Sequence, residues 1–298
     1  MFRAALLASL SGLLLACGNA ARLEVVSDEC LGDPLKITPG VCGCGIPEST
    51  CSPLLDALRH RYAFNGFGTV AVDDIAHANG TIKNAQLNGT GQLDLVRDSA
   101  DEQYVELPNG IISVLLSATF EGWVVWQPPP TTPKPFWERI FDFGVSMAGE
   151  DLRDHGRSYL FFAPGRPNST PSEPRTAFRD DALGVEVTLD STVAFPTNTE
   201  AHFAVVVDVA AEELRLYFDG DDEPRVTALS EPLSAIEDVN NWLGRSQFAA
   251  DTRFGGSFLE FRIYDEALTP EQLEASKALG PSPFFLQPFA AQEATGAP

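Results

Sequence analysis

From Leu58 onward, apolar side chains recur at every second position in short runs separated by turn residues. That period belongs to half-buried β-strands, not to helices. The pattern predicts strands at Gln103–Pro108, Ala118–Trp126, His202–Asp208, Leu214–Phe218, Asn241–Phe248 and Gly255–Tyr264. In the run 214–218, Leu214, Leu216 and Phe218 share one face, and Asp219-Gly220 then turns the chain. In the last strand, alternation assigns Leu259, Phe261 and Ile263 to one face and Phe258, Glu260, Arg262 and Tyr264 to the other. Ala118–Trp126 carries aromatic residues on both faces, which places it inside a sheet. The Asn79-Gly80 pair reads as a tight turn. Two proline-rich insertions, 128–135 and 164–174, interrupt the strands and are expected as exposed loops. A Thr-Pro-Glu start and a Gly280 stop predict one short helix over 270–279.

Particular residues sharpen this picture. The run Asn241-Trp242-Leu243-Gly244-Arg245-Ser246-Gln247, followed by Gly255-Gly256-Ser257-Phe258-Leu259-Glu260-Phe261-Arg262-Ile263-Tyr264 and Ala267-Leu268, resembles the closing signature of LamG-like jelly-roll domains of the laminin-G/concanavalin type. Leu216-Tyr217-Phe218-Asp219-Gly220 and the loop from Val72 to Thr81 are similar to further motifs of that family, and Arg61–Gly66, Arg139–Gly144 and Tyr159–Phe162 resemble its opening and middle strands. The resemblance implies an all-β, two-sheet antiparallel jelly-roll sandwich, concanavalin A-like, over residues 58–280, with a short C-terminal helix; the tail at 281–298 is expected to be flexible as a chain terminus. It implies a fold more than an activity.

Before the sandwich lies a segment of different character. Met1-Phe2-Arg3 and the apolar run Ala4–Ala16 read as a secretory signal, too short to span a bilayer. Its Leu14-Leu15-Ala16-Cys17 ending resembles a bacterial lipobox, with Cys17 as the lipidated (palmitate-bearing) residue of an outer-membrane or cell-surface lipoprotein. Residues 17–57 form a Cys-rich linker whose Cys30, Cys42, Cys44 and Cys51 are expected to make two disulfides, either 30–42 with 44–51 or 30–44 with 42–51. A four-thiolate zinc site is the rival reading. This stretch is similar to Cys-rich segments that precede domains in secreted myxobacterial-type proteins.

Charge and composition then narrow the function. A hydrophobic content of 44% with 20 Phe supplies an ample core. A formal charge of −22 opposes nucleic acid and anionic lipid surfaces as partners. Glucanases on this sandwich place acid and nucleophile on one strand as Glu-x-Asp-x-x-Glu. None of the predicted strands carries that spacing, Asp142 stands between two phenylalanines, and Glu260 has Arg262 as its same-face neighbour. The family resemblance implies a structural calcium with Asp73 as first ligand, although its last-strand aspartate position is Leu259 here. The expectation is a non-enzymatic module that binds a glycan or an extracellular or envelope protein. Trp123, Trp137, Tyr159 and Trp242 are its candidate stacking residues, and a glycan-cleaving enzyme of the same superfamily or a structural envelope protein are the alternatives.

Overall fold

The computed structural model describes residues 47–128, 137–166, 173–182 and 184–281, together with Cys30, Lys36 and Cys44. Strands and helices are numbered in chain order. One sheet, the covered sheet, runs β1 (Leu58–Tyr62), β17 (Gly256–Tyr264), β8 (Ala118–Trp126), β13 (Glu200–Asp208), β14 (Glu213–Phe218) and β15 (Arg225–Ala228), with β6 (Leu93–Leu95) paired to the start of β17. The second, open sheet runs β12 (Glu186–Asp190), β11 (Arg175–Arg179), β10 (Gly156–Ala163), β9 (Phe141–Ser146), β16 (Asn240–Leu243), β7 (Tyr104–Leu107), β4 (Gly80–Lys83) and β3 (Val70–Ala71). A small ribbon joins β2 (Phe67–Gly68) to β5 (Leu87–Asn88). Every pairing between the named strands of the described residues is antiparallel, and the two large sheets stack as a jelly-roll sandwich.

The core is the shared interior that the alternation requires. Phe141 and Phe143 of the open sheet stack at 4.9 Å, and Phe141 meets Phe261 of the covered sheet at 5.9 Å. Phe162 and Phe203 complete the bridge at 5.0 Å. All five rings are fully buried, each contributing roughly 1.5–3 kcal/mol of transfer free energy.

The last strand departs from simple alternation. Phe258 pairs with Val124 and Glu260 with Trp123, so Leu259 is an extra residue in a β-bulge. Phe258, Phe261 and Ile263 therefore face the core, while Leu259 is only half-buried. Glu260, Arg262 and Tyr264 keep the opposite face, as expected, and Glu260 pairs with Arg262.

That opposite face is roofed by two helices, α1 (Glu48–Ala57) and α2 (Pro270–Leu279). Helix α2 carries the anticipated start and stop: Thr269 forms a capping box with Gln272, and Gly280 closes the end at φ +70°. Helix α1 falls in the segment read as a linker. Its Leu54 and Ala57 pack with Ala204, Val206, Tyr264, Leu268 and Leu273, so this part of the segment belongs to the folded unit. Beneath the helices lies a buried ionic lattice. Arg61 and Arg262 hold Glu260, and Glu121 accepts from His202 (2.7 Å), Tyr264 (2.8 Å) and Ser276 (2.8 Å). Burial pushes Glu121 up, but the His202 hydrogen bond and its charged neighbours bring the carboxyl below its usual range.

Cys30 and Cys44 form a disulfide, which excludes both the 30–42 with 44–51 pairing and the zinc site. Cys42 and the side chain of Cys51 lie outside the described residues, as do residues 1–29 with Cys17 and the tail from residue 282. Among the described residues, no helix is long and apolar enough to cross a membrane. Asn79-Gly80 is not the expected turn. Gly80 opens β4, where a Cβ would lie 2.8 Å from Leu107, and the left-handed residue of the loop is His77.

Candidate ligand-binding groove

Among the described residues no helix covers the outer face of the open sheet at β10 and β11, and that face carries its own apolar cluster. Tyr159, Phe161, Ala163 and Ala177 pack there with Trp137 and Phe248, on the side of the sheet away from the core. Strand register explains the grouping. Gly144, Tyr159, Arg179 and Glu186 form one row across β9 to β12, and Asp142, Phe161, Ala177 and Thr188 form the next. Small residues beside the rings leave a hollow of about 240 Å³, lined by Trp137, Tyr159 and Phe161 with Arg139, Arg175 and Arg179. Phe248, Glu186 and Asp251 complete its wall. The volume lies below the roughly 300–1,000 Å³ of drug-sized sites, which suits a single ring more than a long chain.

Local geometry fixes the aromatic walls. Trp137 sits at φ +62°, a left-handed conformation that costs about 1–3 kcal/mol in a non-glycine residue. Its ring meets Phe161 edge-on at 6.3 Å, and the Arg175 guanidinium lies 5.2 Å from its centre. The Tyr159 hydroxyl donates to Glu186 at 2.9 Å, and burial pushes the phenol well above its usual range. At Gly156 a Cβ would come within 2.6 Å of Phe248 and 2.7 Å of Tyr159, so only glycine lets both rings lie against this strand.

The arginines are held differently. Arg139 stacks on Phe161 at 3.8 Å and reaches Asp142 (3.2 Å) and Asp251 (3.0 Å). Arg175 forks onto Asp190. Asp142 lies beneath Arg139, is fully buried and does not line the hollow. Burial pushes its carboxyl up to about 7, partly offset by Arg139 and the Gln247 amide. It is therefore not isolated between its phenylalanines, as its place in the chain suggests, although its Oδ1 has no hydrogen-bond partner.

Of the four aromatic candidates, the structure brings Trp137 and Tyr159 together. Trp123 lies under the helices on the covered sheet, against His202 (4.8 Å) and Arg262 (4.4 Å), and is 2% exposed. Trp242 is fully buried beneath Arg245, which lies 3.9 Å from its ring. Neither offers a stacking surface. Phe161, Arg139, Arg175, Arg179 and Phe248 were not anticipated. The alternations Tyr159-x-Phe161-x-Ala163 and Arg175-x-Ala177-x-Arg179 were the available signal.

The calcium expectation meets a different chemistry at Asp73. Its buried carboxylate accepts from His60 Nδ1 (2.9 Å) and from the backbone amides of Arg61 (3.0 Å), Ile75 (3.1 Å) and Ala78 (3.0 Å). A cation needs converging oxygens, and here the carboxylate is enclosed by N–H donors. These residues do not fit calcium. No group of three or more His, Cys, Asp or Glu among the described residues is placed to hold a metal ion.

A laminin-G-type family model, described as the concanavalin A-like lectin/glucanases superfamily, matches residues 98–274, and the chain belongs to that superfamily. No curated protein matches it significantly in sequence. Among solved structures, Trypanosoma rangeli sialidase in complex with a 2,3-difluoro-KDN is similar at TM-score 0.52 and 14% identity, covering 86% of this chain and 35% of that one. The leech intramolecular trans-sialidase (TM-score 0.46, 19% identity) covers 62% of this chain and 26% of its own. The Ruminococcus gnavus IT-sialidase CBM40 bound to α2,3 sialyllactose (TM-score 0.46, 16% identity) covers 62% and 97%. This chain thus spans about a quarter to a third of the two whole sialidases. At 14% identity the likeness to the Trypanosoma rangeli sialidase speaks to the fold alone.

Proposed function

We propose that the protein is a non-catalytic recognition module that binds the end of a glycan in the groove on the open sheet. The observation that supports this is an aromatic cluster on the solvent side of a β-sheet, rimmed by arginines. Sugars present apolar C–H faces to aromatic rings and hydroxyls to charged donors, and the groove supplies both side by side. A glycan array on the full chain tests it, followed by the same array on Trp137→Ala. Hits that lose at least 10-fold in affinity in the variant support the reading. An array without hits, or hits indifferent to Trp137, overturn it.

One observation favours a second reading, a glycan-cleaving enzyme. Asp142, raised to about 7, would be protonated in about half of the molecules at neutral pH, enough to act as a general acid. Its complete burial behind Arg139 and its absence from the groove wall weigh against contact with substrate. Reducing-sugar release from array hits that is abolished in Asp142→Asn would replace the first reading with this one.

The proposal extends to location: a lipid on Cys17 holds the module at the outer membrane or cell surface of a bacterium. The Leu14–Cys17 motif supports this. Wild type partitioning into the detergent phase, and Cys17→Ala into the aqueous phase, is the expected result. Equal partitioning of the two counts against it.

A further inference from the structure

Three guanidiniums face the groove, but they are not equivalent. Arg139 is shared by Asp142 and Asp251, and Arg175 is forked by Asp190. Among the described residues, Arg179 has no carboxylate within ion-pair distance. Its cross-strand neighbour Glu186 instead accepts the Tyr159 hydroxyl. Arg179 reaches Tyr159, while its buried Nε has no hydrogen-bond partner. A half-buried guanidinium with an idle donor loses hydration without recovering an anion. It lies in a chain of net charge −22, where carboxylates are abundant, so the idle donor is not explained by a shortage of acids.

We propose that the groove is selective for an acidic sugar, its carboxylate docking on Arg179 while its ring lies against Tyr159 and Trp137. The inference rests on the reading of the groove as a glycan site and adds the ligand's chemical class. A carboxylate matches the planar guanidinium fork with two parallel hydrogen bonds, which a hydroxyl cannot reproduce. Arg139 and Arg175, already neutralised by their own aspartates, position the rings and do not compete for the anion. A neutral sugar of equal size would stack but leave Arg179 without an anion, and an unmatched polar group in a site discriminates strongly. A hollow of about 240 Å³ limits the recognised unit to the terminal residue.

Isothermal titration of the full chain tests this with glucuronic, galacturonic and N-acetylneuraminic acids as methyl glycosides, each beside its methyl ester. The expected result is that at least one acid binds and that its ester binds at least 10-fold more weakly. Arg179→Met should abolish that preference, and Arg179→Lys, which keeps charge but loses the fork, should retain only part of it. Both variants should melt within a few degrees of wild type. Equal binding of acid and ester, or a preference that survives in Arg179→Met, overturns the inference while leaving a glycan site intact. Preference for a sulfated sugar over every carboxylated one also overturns it. Failure of all sugars, charged or neutral, overturns the glycan reading itself.

Discussion

Asp73→Asn isolates one buried charge whose contribution follows from its hydrogen bonds. Burial alone would raise the Asp73 carboxyl. The His60 bond and three backbone amides outweigh it and lower the pKa from 3.8 to about 2. At about 1.36 kcal/mol per unit, that difference stabilises the folded state by roughly 2 kcal/mol at neutral pH. The sign follows from the depressed folded value. The contribution is complete above the unfolded pKa and fades as pH falls from about 5 to 2. Replacing the carboxylate by an amide removes the charge and turns an N–H₂ toward N–H donors, so the loss at pH 7 is at least that large. For a sandwich of this size, 2 kcal/mol lowers the melting temperature by roughly 4–8 °C. Urea unfolding of wild type and variant at pH 7, 5, 3 and 2 reads the effect directly. The stability gap should stay constant from pH 7 to 5 and shrink by about 2 kcal/mol by pH 2. The other acidic residues titrate in both proteins, so their effect cancels in the difference. Parallel pH profiles, or a gap below 0.5 kcal/mol at pH 7, would refute the reasoning that this carboxylate organises the loop from 73 to 79.

The same geometry predicts that millimolar calcium leaves the wild-type melting temperature unchanged; a rise of several degrees that Asp73→Asn abolishes would show that the N–H cage opens to a cation. Glu121→Leu leaves Arg262 and His202 with a missing partner under the helices and should cost about 3–5 kcal/mol in urea unfolding. A cost below 1 kcal/mol would mean that the lattice is solvated. The bulge at Leu259 predicts unequal neighbours: Phe258→Ala should cost about 3–5 kcal/mol and Leu259→Ala far less. Equal costs would restore the regular alternation.

Much of the fold was legible because local and tertiary preferences agree. Ala118–Trp126 and helix 270–279 appear with the bounds that apolar alternation and the Thr-Pro…Gly punctuation predict. The open sheet's edge was not legible. Strands β11 and β12 follow a proline-rich stretch, and the run Arg175-Thr-Ala-Phe-Arg179 has too few apolar residues to stand out. The site was lost with them, because its arginines sit on β11. Trp123 and Trp242 show another limit. Alternation tells which face a side chain takes, but not that helices roof one sheet or that Arg245 lies over Trp242. The bulge at Leu259 left no periodic trace at all, since one inserted residue exchanges Phe258 for Leu259 while both are apolar.

Crystals soaked with the strongest hit from the glycan array test the central claim most directly. The account predicts sugar density on the outer face of the open sheet, its ring against Trp137 and Tyr159 and its acid group within 3.2 Å of Arg179, the upper range of an N–H···O bond. Density on the covered sheet or at the loops of the sandwich ends, with the groove left empty, would contradict it.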